Sequence, residues 1–220
     1  MEQDDIVHVV DVDIVSDVVC PWCIIGFLQL RRALAMTGLG ARVRWHPFEL
    51  NPDMGPEGQD LAEHMAEKYG TSAEDSHRAR DRLRRIGAQL GFAFNYDDTS
   101  RMVNTFRAHQ LLDWAAEEGL QHPLKMALFA AYFTDQQDVS DIEVLIRAAQ
   151  AAGLDGEAAR EVLTSEARAD LVRRKQAFWV QNGISGVPTM CIGGKFVLTG
   201  AQEAETYADV IRQAAQLPAA

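Results

Sequence analysis

The chain has 220 residues, 47% of them apolar and 24% charged, with a formal net charge of -11. This is an ordinary globular composition, long enough to bury a core as one large domain or as a small domain with a sizeable insertion. The acidic total repels phosphate backbones and so argues against nucleic acid, and the most basic stretch, Arg78 to Arg85, reads as a solvated helix face with Leu83 and Ile86 turned inward.

The N-terminus, Met1-Glu2-Gln3-Asp4-Asp5, is acidic where an export signal is basic, and no apolar run approaches the roughly 20 residues that span a bilayer. The expectation is a cytoplasmic protein without a membrane partner. Structural disulfides are uncommon there, so three cysteines, two of them as C-x-x-C, point to redox or metal chemistry.

In chain order, Val7 to Val15 is rich in β-branched residues and predicts a strand. Ser16-Asp17-Val18-Val19 leads to Cys20-Pro21-Trp22-Cys23, and an apolar helical pattern follows through Ile24, Phe27, Leu28, Leu30 and Leu34 to Gly38 and Gly40. A second strand is expected over Arg42 to Leu50, giving a β-α-β opening of about fifty residues, the scale of a parallel crossover. From Asp60 to about Gly183 the patterns are helical. Ser72 with Asp75, and Ser140 with Glu143, have capping-box spacing; Pro123 suits a first helical position; Gly70, Gly91, Gly119 and Gly153 suit helix ends; and one long run covers Ser165 to Asn182. Thr189 to Ile192 and Lys195 to Leu198, joined by Gly193-Gly194, predict a hairpin, and a last helix is expected from Gln202 to Gln216.

Strand-rich ends around a helical middle imply an α/β domain interrupted by an all-helical insertion. The expected division is a discontinuous sheet domain, residues 1–55 and 175–220, and a helical insertion, residues 56–174.

Two cysteines three apart at a helix start lie on one face. The first sits where unpaired N–H groups and the helix dipole favour an anion, which predicts a lowered pKa and an exposed thiolate at Cys20. Cys20 is then the nucleophile, and Cys23 the thiol that resolves the mixed disulfide. Pro21 fits the first turn, where its missing N–H costs nothing. A structural zinc site is the competing reading, but it wants two more ligands; there is no second C-x-x-C and no H-x(3–5)-H, and His64, His77 and His109 are scattered. No metal and no bound cofactor is expected, because the dithiol itself carries the electrons.

The motifs Cys20-Pro21-Trp22-Cys23 with Gly26, Trp45-His46-Pro47-Phe48-Glu49-Leu50-Asn51-Pro52, Gly186-Val187-Pro188-Thr189 and Gly200-Ala201-Gln202 resemble the DsbA family. Within it they are most similar to the FrnE-like dithiol–disulfide isomerases, as are Asn104-Thr105 with Ala108-His109 and Ala131-Tyr132-Phe133-Thr134. The resemblance covers nearly the whole chain and implies a thioredoxin-like fold, with Val187-Pro188 as a cis-proline loop facing the dithiol. There the backbone of Val187 would pair with an extended substrate. Cys191 stands where related strands carry an ordinary apolar residue.

Around the dithiol, Asp17 either tunes the thiol pKa or bonds its own turn. Trp22 is a candidate aromatic lid or a packing residue, and Asn104 and His109 are candidates to line the cleft or to cap and fill a helix. Cys191 reads as a small apolar residue that also lies near Pro188 in sequence.

The function expected is disulfide exchange or isomerisation on a disulfide- or thiol-containing protein or small molecule, with glutathione or a thioredoxin-type partner as the reductant; a homo-oligomer is compatible with it. The alternatives are a glutathione-linked transferase or isomerase like the related kappa-class enzymes, which generally have serine at the first dithiol position, and a non-catalytic binding or chaperone module.

Overall fold

Strand β1 (Val9–Ser16) alternates as its β-branched sequence requires, with Val12 and Ile14 fully buried and Asp11 and Asp13 on the other face. The computed structural model describes residues 9–216, so Val7 and His8 of the expected strand lie outside the described residues. Helix α1 (Pro21–Thr37) starts on Pro21 and ends at Gly38, whose φ of 69° only glycine adopts without strain. Strand β2 (Gly40–Pro47) runs parallel to β1, from Val9 opposite Gly40 to Ser16 opposite Pro47. It stops short of the expected Leu50; Pro47 has no N–H to donate, and Leu50 turns its amide to Asp17 instead.

The middle of the chain departs from an all-helical reading at one point: β3 (Gln59–Asp60) pairs antiparallel with β4 (Arg101–Met102). Between them lie α2 (Leu61–Tyr69) and α3 (Ala73–Leu90), the latter capped by Ser72, whose Oγ accepts from the Asp75 amide. Next come α4 (Phe106–Glu117) and α5 (Gln121–Phe129), in which Pro123 is the third residue rather than the first. A π-helical turn, Ala130–Thr134, continues α5.

Helix α6 (Ile142–Ala151) is capped by Asp141, not by the expected Ser140; Ser140 donates its hydroxyl to Asp138 at 2.6 Å. The expected run from Ser165 to Asn182 is one helix that starts four residues later than expected, after a turn. Helix α7 (Gly156–Ser165) ends at Glu166, in the left-handed region with φ 52°, and α8 (Ala169–Gln181) begins after that turn. The expected join at residues 174 and 175 falls inside α8.

Strands β5 (Thr189–Ile192) and β6 (Phe196–Thr199) form the hairpin, and α9 (Ala204–Ala215) closes the described chain. The sheet order is β2-β1-β5-β6, with β5 antiparallel to β1. This is the interrupted α/β architecture that the sequence predicts, with the helical insertion between β2 and β5. One hydrophobic core joins β1, β5, α1 and α9; a second fills the insertion and takes in Val18 and Val19. Tyr96 and Tyr132 pack against both. The segment from Asp17 to Cys23 therefore crosses the seam between the two cores.

Candidate active site

Where β1 ends, the chain turns through Asp17-Val18-Val19 and places Cys20 as the N-cap of α1, with φ -92° and ψ 112°. The Cys23 amide donates to the Cys20 carbonyl at 3.1 Å, folding the second cysteine back beneath the first. The two come within 3.6 Å of each other, and both are free thiols. Val187-Pro188 is a cis peptide, and the Cys20 thiol donates to the Val187 carbonyl at 3.7 Å. That loop is held by the Gly200 amide donating to Pro188 O at 2.8 Å and by Thr189 Oγ1 donating to Gly186 O at 2.8 Å. Gly26 lets α1 approach it: a Cβ there would sit 3.4 Å from Pro188 Cγ and 3.3 Å from Met190 Cε.

The expected exposed thiolate at Cys20 is corrected. Cys20 is 4% exposed and Cys23 is fully buried. The hydrogen bond to Cys23, then burial and the Cys23 and Asp17 charges, push the Cys20 thiol well up. Burial also acts to raise Cys23, but the Cys20 hydrogen bond, the Lys125 charge and the Ser16 hydroxyl outweigh it and bring Cys23 down. The N-cap position alone does not decide the thiolate, because the side chain of Cys20 makes no capping hydrogen bond to the helix amides.

Asp17 is fully buried and satisfied on both oxygens. Oδ1 accepts from the Val18 amide at 2.7 Å and lies 3.3 Å from His109 Nε2; Oδ2 accepts from the Leu50 amide at 2.8 Å. Burial opposes its ionisation, but the His109 and Leu50 hydrogen bonds and the Lys125 charge hold its carboxyl below the usual range. Asp17 is thus both a turn residue and a charge beside the thiols.

The sequence reading missed Lys125. It is 1% exposed, in no salt bridge among the described residues, and its ammonium sits over the rings of Phe129 and Trp45, 4.9 and 5.3 Å from their centroids. Burial pushes it down to about 8, while the nearby charges of Cys23, Asp17 and Cys20 pull the other way. A signal was present: Lys125, Leu128 and Phe129 fall at i, i+3 and i+4 on α5, which puts a cation into an apolar stripe.

Of the other sequence candidates, Pro21 begins α1 and Val187 and Pro188 face Cys20, while His109 is drawn in through Asp17 at 2% exposure. Trp22 is 37% exposed, with the Arg82 guanidinium of α3 5.5 Å over its ring. Asn104 is not at the dithiol: its Nδ2 donates to Met54 O at 2.8 Å and its Oδ1 accepts from the Phe106 amide at 2.9 Å, so it ties down the start of α4. Cys191 does not join the dithiol either. Its neighbours Met190 and Ile192 are buried in the core, so it projects from the other face of β5, opposite Asp13, where burial raises its thiol.

Residues 11–212 match the family described as DSBA-like thioredoxin domain. The crystal structure of a probable DsbA oxidoreductase from Streptomyces coelicolor superposes with a TM-score of 0.88 at 34% identity, covering 93% of this chain and 89% of that one. The uncharacterized protein YwbO of Bacillus subtilis is 28% identical over 204 residues, 92% of this chain and 96% of its own length. The cytosolic disulfide reductase DsbM of Pseudomonas aeruginosa, solved with GSH, shares the fold at a TM-score of 0.62 and 19% identity, covering 94% of this chain and 100% of that one.

Proposed function

Because the chain belongs to the DSBA-like thioredoxin domain family, we propose that it is a thiol–disulfide oxidoreductase or isomerase in which Cys20 attacks and Cys23 resolves. The observation that carries this reading is the pairing of Cys20 and Cys23 at 3.6 Å, with the Cys20 thiol also donating to the Val187 carbonyl at the edge of the cis-proline loop. A disulfide-bearing segment laid against Val187 would meet Cys20 before Cys23.

In the reaction, the proton on Cys20 passes to the Cys23 sulfur and leaves a Cys20 thiolate. That thiolate attacks one sulfur of the substrate disulfide, forms the mixed disulfide and expels the other sulfur as a thiolate. The departing thiolate takes the proton from Cys23. Cys23 then attacks the Cys20 sulfur, closes the protein disulfide and releases the second substrate thiolate. Two electrons have moved from the dithiol to the substrate, and the reverse sequence oxidises a dithiol substrate. Lys125 favours negative charge on Cys23, Asp17 opposes it on Cys20, and the balance keeps the attacking sulfur protonated until the substrate arrives. Glutathione or a thioredoxin-type protein would return the oxidised protein to the dithiol, and a reducing cytoplasm is the setting that suits this cycle.

The test is insulin reduction and refolding of a scrambled disulfide substrate by wild type, Cys20→Ser and Cys23→Ser, with glutathione conjugation measured alongside. Cys20→Ser is expected to lose both exchange activities, and Cys23→Ser to accumulate mixed disulfides. Full exchange by Cys20→Ser would overturn the assignment, and conjugation that survives in Cys20→Ser would favour a glutathione-linked enzyme.

A further inference from the structure

Lys125 and His109 also line a cavity of about 460 Å³. Neither cysteine lines it, nor does Val187 or Pro188, and its volume is that of a small-molecule site. Its walls come from β2, α4, α5 and α8.

Two indoles bound it, and both are fixed. Trp45 donates its ring N–H to His122 Nδ1 at 3.2 Å and exchanges backbone hydrogen bonds with the side chain of Gln121 at 3.0 and 2.9 Å. Trp179 packs on the His46 ring with centroids 4.7 Å apart. The charge around the cavity is opposite to that of the chain: four Lys and Arg side chains line it against the single carboxylate of Asp113. Asp113 is already held by Arg168 and Lys175, and Arg44 is committed to Asp13 by two hydrogen bonds. Lys125 is different. It is almost wholly buried, lines the cavity, and is in no salt bridge among the described residues. The charges of Asp17 and Cys23 act on Lys125 without a salt bridge to it, so burial still disfavours its ammonium, and an anion entering the cavity would offset that cost.

We propose that this cavity binds a small organic carboxylate with an aromatic or aliphatic body, the carboxylate meeting Lys125 and the body lying against Trp45 and Trp179. Arg174 and Lys175 also line the cavity and add to its positive charge, and because no residue of the dithiol or the cis-proline loop lines it, the site can fill while a disulfide substrate is engaged. A neutral molecule of the same shape gains the ring contacts but not the attraction of the ammonium.

The test uses 4-phenylbutanoate as the probe and 4-phenylbutan-1-ol as its neutral counterpart, read by tryptophan fluorescence and by calorimetry. Wild type is expected to bind the carboxylate saturably and at least tenfold more tightly than the alcohol. Lys125→Met should abolish that preference. Ala116→Trp, which adds bulk at an exposed position on the cavity lining, should abolish binding without lowering the melting temperature. Cys20→Ser should bind as wild type does, which separates this site from the disulfide chemistry. Equal affinity for the two probes in wild type, a preference retained by Lys125→Met, or unimpaired binding by a folded Ala116→Trp would each overturn the proposal.

Discussion

His109 Nε2, on α4 of the helical insertion, lies 3.3 Å from Oδ1 of Asp17, three residues before Cys20. Both side chains are almost wholly buried, so the contact is shielded from salt and water. It ties the insertion to the turn that aims the dithiol, and it is one of the hydrogen bonds that keep Asp17 ionised beside Cys20. An imidazole at that point therefore acts on the thiols through a carboxylate, as a positioning residue.

His109→Ala should cost about 1–3 kcal/mol at neutral pH, the range for leaving a buried acceptor short of a partner. Asp17 has a folded value below its ordinary 3.8, so its stabilisation is complete above that pH and is lost as pH falls through the folded value. Without His109 the carboxyl protonates more readily, and the acid-unfolding midpoint should move to higher pH. Circular dichroism during acid titration reads this, and an unmoved midpoint would show that His109 does not hold the Asp17 charge.

Lys125→Met should make the fold more stable at pH 7 and the dithiol harder to ionise. Between the folded value of about 8 and the ordinary 10.5, the unfolded chain binds more protons, so wild-type stability rises with pH through that window. The 2.5-unit gap corresponds to about 3 kcal/mol, an upper bound on what methionine recovers. Denaturant melts at pH 7 and 10 should show a flatter profile in the variant. Thiolate absorbance near 240 nm should titrate at higher pH, since Lys125 no longer favours charge on Cys23. A less stable variant with an unmoved thiolate curve would contradict both halves.

Gly26 and Gly87 should respond differently to an added methyl. At Gly26 the nearest atom is the flexible end of Met190 at 3.3 Å, so Gly26→Ala should change stability by less than about 1 kcal/mol. Gly26→Val pushes on Pro188 and should slow insulin reduction at least tenfold with a smaller change in melting temperature. At Gly87 a Cβ would meet the Phe92 carbonyl and lie 2.6 Å from Phe94 Cδ2. Overpacking costs of about 1–3 kcal/mol then exceed the gain in helix propensity of about 1 kcal/mol, and Gly87→Ala should unfold at lower urea. Stabilisation by Gly87→Ala would refute the close approach.

Much of this protein is local, and local patterns were readable. The alternation of Val12, Asp13 and Ile14 set the faces of β1, Pro21 and Gly38 bracketed α1, and Gly193-Gly194 turned the hairpin. The C-x-x-C at a helix start was likewise visible, because it depends on residues a few positions apart, whereas the cis-proline loop at Val187-Pro188 was implied by the resemblance to the DsbA family. Where the local signal was split between neighbours, as at Ser140 and Asp141, the side chain with the better reach to the free amides became the cap.

What the sequence by itself determined was the order of the main elements and the placing of two cysteines together at the start of α1. Which groups surround those thiols was decided by packing. Asp17 and His109 are 92 residues apart, and the charge of Lys125 acts on Cys23 only because the insertion packs against the end of β1. The depth of Cys20 has the same origin: a helix start is ordinarily open to water, but here the cis-proline loop and the insertion enclose it. Burial and long-range charge set where its proton rests, and no spacing within Cys20-Pro21-Trp22-Cys23 encodes them.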